Sequence, residues 1–366
     1  MKNSKVTFSI LLIALFFNTS VLAASEDEVM EMAREVHANV MALDTHVDIP
    51  FNFASSEHMP ADAEAQVNLQ SMKDGGLDSA FFIVYVGQTE RTPETYLAAK
   101  ADALSKFDAI HRMVELYPDE IGLALTAQDA EDLFNENKLV ALIGIENGFV
   151  IGHDLSLVER FYDLGARYMT LVHNGHNDIG DSAQPRPQFG DEEVEHGGLS
   201  DFGYQVVDEM NRLGMLVDIS HVSRQTMMDA TLHSKAPVIA SHSSVTAVAD
   251  HPRNMNDEQL LALKENGGVI QIVAFDTYVK EGGESNVQDF VDHIDYAVNL
   301  IGVEHVGIAS DFGGGGGIEG WNDAFETFNV TLELVRRGYS EEEIGMIWSG
   351  NVMRILAEAE NVAAQF

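Results

Sequence analysis

Apolar residues fall along the chain in short, β-rich runs: Ala42–Ile49, Ser79–Val86, Val140–Ile145, Tyr168–Val172, Met215–Ile219, Val238–Ala240, Val269–Phe275 and Val306–Ala309. Each run is nearly continuous rather than alternating, the pattern of a strand buried on both faces. Between most of them the apolar positions recur three and four apart, over Thr92–Leu116, Leu155–Leu164, Phe202–Leu213, Arg224–Leu232, Asp257–Glu265 and Val287–Leu300. That spacing predicts amphipathic helices. Ser156, Ser200, Ser223 and Asn256 stand at or near N-cap positions, and Gly76, Gly165, Gly214 and Gly267 fall where a helix must stop. A helix over Glu26–Val40 leads into the first strand. The segment Ala324–Ala359 reads as helical throughout, with Ser340 heading a capping box, and is expected on the outside of the domain. Eight strands alternating with helices predict an α/β fold, a (β/α)8 TIM barrel of parallel strands. An open, doubly wound sheet is the competing arrangement, but no G-x-G-x-x-G follows the first strand. The run Gly313–Gly317 lacks the lysine of a phosphate-binding loop and reads as a plain loop.

Two stretches stand outside this alternation. Residues 1–23 carry Lys2 and Lys5, an apolar run Phe8–Phe17, and the small residues Val21 and Ala23 at −3 and −1 of a cleavage site. This is the layout of a secretory signal peptide, too short for a membrane span, and it predicts a periplasmic or secreted protein without stable membrane insertion. Residues 24–366 are then expected to form a single domain. His173–Gly198 is long and rich in Asn, Gly, Pro and Asp, and is expected to form a lid or wall over a site.

Composition narrows the chemistry. The formal charge is −38, about −40 once Lys2 and Lys5 leave with the leader, which argues against nucleic acid as a partner. The charges are scattered, as on a strongly solvated surface. There is no cysteine, so disulfides, thiolate ligands and a cysteine nucleophile are all excluded.

In a (β/α)8 barrel the reactive groups sit at the C-terminal ends of the strands. Those ends carry His46 and Asp48, then Glu146, His173, His221, His242 and Asp311. His46 and Asp48, two apart on a strand, share a face, and an imidazole beside a carboxylate suits a borderline cation such as zinc. Three histidines with Asp48, Glu146 and Asp311 exceed the needs of one tetrahedral zinc, which points to two ions, with Glu146 able to bridge them. Two cations sharing a water bring its pKa toward about 7 and polarise a carbonyl, machinery for hydrolysing an amide or ester.

The motifs D-T-H-V-D-I-P, L-I-G-I-E-N-G, L-V-H-N-G-H-N-D, V-D-I-S-H-V-S, A-S-H-S-S, H-P-R-N-M and G-I-A-S-D-F, with a closing Gly350-Asn351-Val352-Met353-Arg354, occur in order along the chain. Together they resemble the renal (membrane) dipeptidases, zinc enzymes of the amidohydrolase type, over essentially the whole mature length. The resemblance implies two Zn2+ per chain: one held by His46, Asp48 and Glu146, the other by Glu146, His221 and His242, with a hydroxide between them. It implies that Asp311 shuttles a proton to the leaving amine, that His173 stabilises the tetrahedral oxyanion, and that Arg253 takes the substrate's C-terminal carboxylate. The implied substrate is a dipeptide with free amine and free carboxylate, L-L and also L-D, and a homodimer is left open. One departure is clear: where the family continues S-D-F-D-G, this chain has Gly313–Gly317 after Phe312, which bears on loop shape and substrate preference. The family's mammalian disulfides have no counterpart. The competing functions are a related metal-dependent amidohydrolase acting on another amide, ester or β-lactam, and a barrel that binds without catalysing.

Overall fold

The structure is a computed structural model that describes residues 25–61 and 64–366. The expected signal peptide lies outside the described residues. Among the described residues nine strands form one sheet: β1 (Leu43–Asp48), β2 (Ser79–Tyr85), β3 (Ile121–Leu123), β4 (Leu139–Glu146), β5 (Ala166–Thr170), β6 (Leu216–Asp218), β7 (Ile239–Ser243), β8 (Val269–Val273) and β9 (Val306–Ala309). The order is β1-β2-β4-β5-β6-β7-β8-β9, every pair parallel. Just past the end of β9 the chain returns to β1. Val47 bridges Phe312, Asp48 N–H donates to Phe312 O (2.8 Å), and Asp311 N–H donates to His46 O (3.1 Å). Asp44 Oδ1 tightens this seam by accepting from both His46 N–H (3.0 Å) and Ser310 N–H (2.9 Å). The result is the expected (β/α)8 barrel, nearly closed, with helices between the strands. The extra strand β3, too short for its pattern to stand out, pairs only with the first residues of β4.

Local chemistry accounts for many boundaries. Ser200, Ser223 and Asn256 accept from backbone N–H groups in the first turns of their helices, and Gly76, Gly214 and Gly267 end theirs in the left-handed conformation. Ser156 does not cap; it is the first helical residue, and Asp154 accepts from its N–H (3.2 Å).

The C-terminal segment corrects the expectation twice. It is not one continuous helical region: a helix over Phe328–Arg337 stops at Gly338 (φ 89°), and the Ser340–Glu343 capping box starts another. A π-helical turn over Met346–Gly350 then leads into Asn351–Ala363. Nor does that last helix pack on the outside. Val352, Ile355, Leu356 and Ala359 join Leu43, Phe81, Leu142, Leu216, Ile239 and Val269 in one apolar cluster, so the helix stoppers the N-terminal end of the barrel. Among the described residues no helix is long and apolar enough to cross a membrane.

Candidate metal centre

At the opposite end, the strand termini converge on Glu146, the last residue of β4. Its Oε1 lies 3.0 Å from His221 Nε2, 3.4 Å from His242 Nε2 and 3.6 Å from His173 Nε2. Its Oε2 lies 3.6 Å from His46 Nε2, and His46 Nε2 is 3.6 Å from Asp48 Oδ2. His46, Asp48 and Asp311 form a further close group. The structure thus brings together all seven strand-end residues singled out by the sequence.

Backbone irregularity aims them. The β1–β2 register slips between Asp44 and Val47, and the β7–β8 register slips between Ala240 and Ser243. Each slip falls at a histidine, as bulges beside active sites do. His221 (φ 66°) and Asp311 (φ 61°) both take the left-handed conformation, at a cost on the order of 1–3 kcal/mol each.

Hydrogen bonds on the far side of each ring fix the tautomers. Tyr168 Oη spends its proton on Thr45 O (2.9 Å), so it accepts from His46 Nδ1 (3.0 Å). Ser241 Oγ donates to Asp218 (2.6 Å) and accepts from His242 Nδ1 (2.8 Å). Asn174 Oδ1 accepts from His221 Nδ1 (3.2 Å). With Nδ1 as the donor, each neutral ring keeps its lone pair on Nε2, and the Nε2 atoms of His221 and His242, whose protonation burial opposes, face each other 2.8 Å apart. Two lone pairs and a carboxylate at such distances repel unless a cation lies among them.

The spacing fits that cation. Donors about 2.0–2.1 Å from a tetrahedral zinc stand roughly 3.3–3.4 Å from one another, within the 3.0–3.6 Å spread of the Glu146 contacts. Among the described residues, His46 Nε2 and Asp48 Oδ1 are buried and make no hydrogen bond, which suits atoms that would bind a cation.

Charge leads to the same place. Burial, with Glu146 nearby, pushes Asp48 up to about 7, and burial raises Asp311 well above the usual carboxylate range. Burial opposes ionisation of Glu146 too, but His173 and His46 overcome it and hold its pKa low. Burial also opposes protonation of His46, yet Glu146 and Asp48 take it up to about 10. A proton on His46 Nε2 would nonetheless meet both carboxylates at 3.6 Å, too long for a hydrogen bond. Three carboxylates this close together favour bound positive charge, and a cation among them would supply it.

Above these groups opens a cavity of about 670 Å³, in the range of small-molecule sites. His173 stands in its wall, tilted against the Tyr85 and His221 rings with centroids 4.8 and 4.1 Å away, and burial lowers its pKa to about 4. Arg253 also lines it, 3% exposed. Its Nη2 donates to His242 O (3.2 Å), its guanidinium lies 5.6 Å from the Tyr278 ring, and Nε makes no hydrogen bond. The Gly313–Gly317 loop packs under the acidic groups. A Cβ on Gly314 would come 2.4 Å from both Asp48 Oδ2 and Asp311 Oδ1.

Several lining residues were not singled out by the sequence: Tyr85, Lys106, Phe275, Tyr278 and His58. Of these only Lys106 left a trace there, as a lysine on the apolar stripe of its helix.

Comparison with known proteins agrees with the geometry. The family model for membrane dipeptidase (peptidase family M19) matches residues 30–366. Dipeptidase aclJ of Aspergillus oryzae is 36% identical over 305 residues, 81% of this chain and 71% of its own length. The probable dipeptidase PvdM of Pseudomonas aeruginosa superposes with a TM-score of 0.88 at 28% identity, covering 92% of this chain and 99% of that one. A metallopeptidase from Rhodobacter sphaeroides, solved with a phosphinate mimic of the dipeptide L-Ala-D-Ala, shares the fold at 22% identity and a TM-score of 0.78, over 87% and 99% of the two chains. The chain belongs to the membrane dipeptidase family, peptidase family M19.

Proposed function

We propose that this metal-dependent dipeptidase works with two zinc ions, one held by His46, Asp48 and Glu146 and the other by Glu146, His221 and His242. The observation that carries the reading is the convergence of the Nε2 atoms of His46, His221 and His242 on Glu146, with Asp48 beside His46. When bound, two such ions supply a water-derived nucleophile at neutral pH and polarise the scissile carbonyl.

The chain's own residues do the rest. Arg253 presents guanidinium N–H groups to the cavity and suits the substrate's C-terminal carboxylate. This fixes the scissile bond over the ligands. His173, kept neutral by burial, donates from its ring to the oxygen that gains charge. Asp311 takes the proton released by the attacking water and delivers it to the departing amine. We propose that the protein acts after export, and that it accepts a D-residue at the second position. The mimic bound to the Rhodobacter sphaeroides metallopeptidase makes L-Ala-D-Ala the natural first test beside L-Ala-L-Ala.

The test compares two variants on a dipeptide and on its C-terminal amide. Arg253→Met is expected to lower kcat/KM for the free dipeptide by about 2–5 kcal/mol and to matter little for the amide. Asp311→Asn is expected to collapse kcat on both, because an amide cannot carry the proton. If Arg253→Met harms both substrates alike, the carboxylate clamp is wrong. A wild-type enzyme that cleaves esters or β-lactams but no dipeptide would favour the wider amidohydrolase reading.

A further inference from the structure

The helix Pro93–Leu116 lies against β2 and buries Ala99, Ala103, Phe107 and Ile110. Lys106 belongs to the same buried stripe, where an apolar residue would ordinarily stand. It is 4% exposed, and its side chain passes inward to line the cavity above the metal centre. Nζ donates to Ile49 O (2.7 Å) and sits 4.9 Å from the Phe51 ring centroid and 5.6 Å from that of Tyr85. No carboxylate lies within ion-pair distance of it among the described residues. Glu64 lines the same cavity but is exposed, as is Asp102 one turn back on the helix, and Asp48 and Glu146, which act on the ammonium from beyond ion-pair distance, belong to the candidate metal centre.

A buried ammonium with no carboxylate in direct contact is costly, and a ligand carboxylate at Nζ would offset that cost. Lysine offers three donors, and the Ile49 carbonyl uses one. The position within the barrel identifies the ligand. Tyr85, beside Lys106, ends β2, and Arg253 follows β7; in the eight-strand ring β2 and β7 are diametrically opposed. A dipeptide whose C-terminal carboxylate meets Arg253 and whose scissile bond lies over Glu146 extends its N-terminal residue toward Lys106.

We propose that Lys106 is a specificity-determining residue, forming beside Tyr85 a subsite for a carboxylate on the side chain of the substrate's N-terminal residue. The inference rests on the dipeptidase reading above. The preferred substrates are then dipeptides that begin with glutamate or aspartate. Burial draws the pKa of Lys106 below the ordinary lysine value, and a substrate carboxylate would hold the proton in place.

L-Glu-L-Ala and L-Gln-L-Ala differ in charge but hardly in shape, so the ratio of their kcat/KM values isolates the effect. For metal-loaded wild type, Glu-Ala is expected to exceed Gln-Ala by about tenfold or more, the lower range of a hydrogen bond to a charged group. Lys106→Met should bring the ratio close to one, and Lys106→Arg should keep most of it. Metal content and circular dichroism confirm that each variant is folded, and Lys106→Gln replaces the Met variant if that does not fold. A wild-type ratio of one or less overturns the subsite, whatever the variants do. So does a ratio that survives in Lys106→Met. If the wild type cleaves neither these nor any other dipeptide, the dipeptidase reading fails first and takes the subsite with it.

Discussion

At the scale of single residues, the centre depends on atoms that are absent as much as on those present. Gly314 has no side chain because Asp48 and Asp311 occupy that space. Gly314→Ala must displace one or both, and we expect it to lower metal affinity at least tenfold while the fold persists; dialysis against a graded chelator would measure this. Unchanged affinity would mean that the loop yields instead. The candidate ligands were legible because each is a polar residue at or near the end of an apolar run, a break that core packing does not explain. Tyr85 and Tyr278 were not legible, since an aromatic residue that ends a strand or sits in the short helix beyond one is an ordinary core residue until the third dimension places it on a cavity. His58 lies in a segment whose path toward the barrel mouth no local pattern states, and Lys106 left only its place on an apolar helical stripe, which does not say what it reaches.

At the scale of elements, the alternation of apolar runs and helical segments was enough to read the barrel, since parallel strands buried on both faces leave little choice of arrangement. What escaped was β3, three residues long, and the inward turn of the last helix. The latter is a tertiary fact: an amphipathic helix looks alike whether it covers a barrel or stoppers it. The lower end also holds a titrating joint. Asp78, just before β2, accepts from Ala42 N–H (2.9 Å), and burial raises its pKa to about 7. The unfolded chain ionises this group near 3.9, so between about pH 4 and 7 the folded state holds the extra proton. Its contribution to stability is fully present below about pH 4 and is lost as pH rises through about 7. Asp78→Asn keeps an acceptor for Ala42 without the charge. We expect it to be more stable than wild type at pH 8, with the advantage fading toward pH 4, as judged by urea midpoints. An advantage that grows on acidification would contradict this assignment.

At the scale of the whole molecule, a net charge of −38 sets the solution behaviour. Ion pairs such as the Arg337 cluster with Asp292, Asp295 and Glu333 engage few of the 59 acidic residues. Repulsion among the rest should be relieved by salt. The melting temperature is expected to rise from low ionic strength to about 0.1 M, where the screening length is roughly 10 Å; a flat or falling curve would show that the surface carboxylates are too dispersed to matter. The same acidic excess makes the barrel mouth unusual, since there Arg253 and Lys106 face each other across a centre that itself requires cations. The most direct test of that centre is its metal stoichiometry, measured by elemental analysis of the fully active protein beside His221→Ala. The account predicts close to two divalent ions per chain in the wild type and the loss of about one in the variant. A single tightly bound ion in fully active wild type would contradict it.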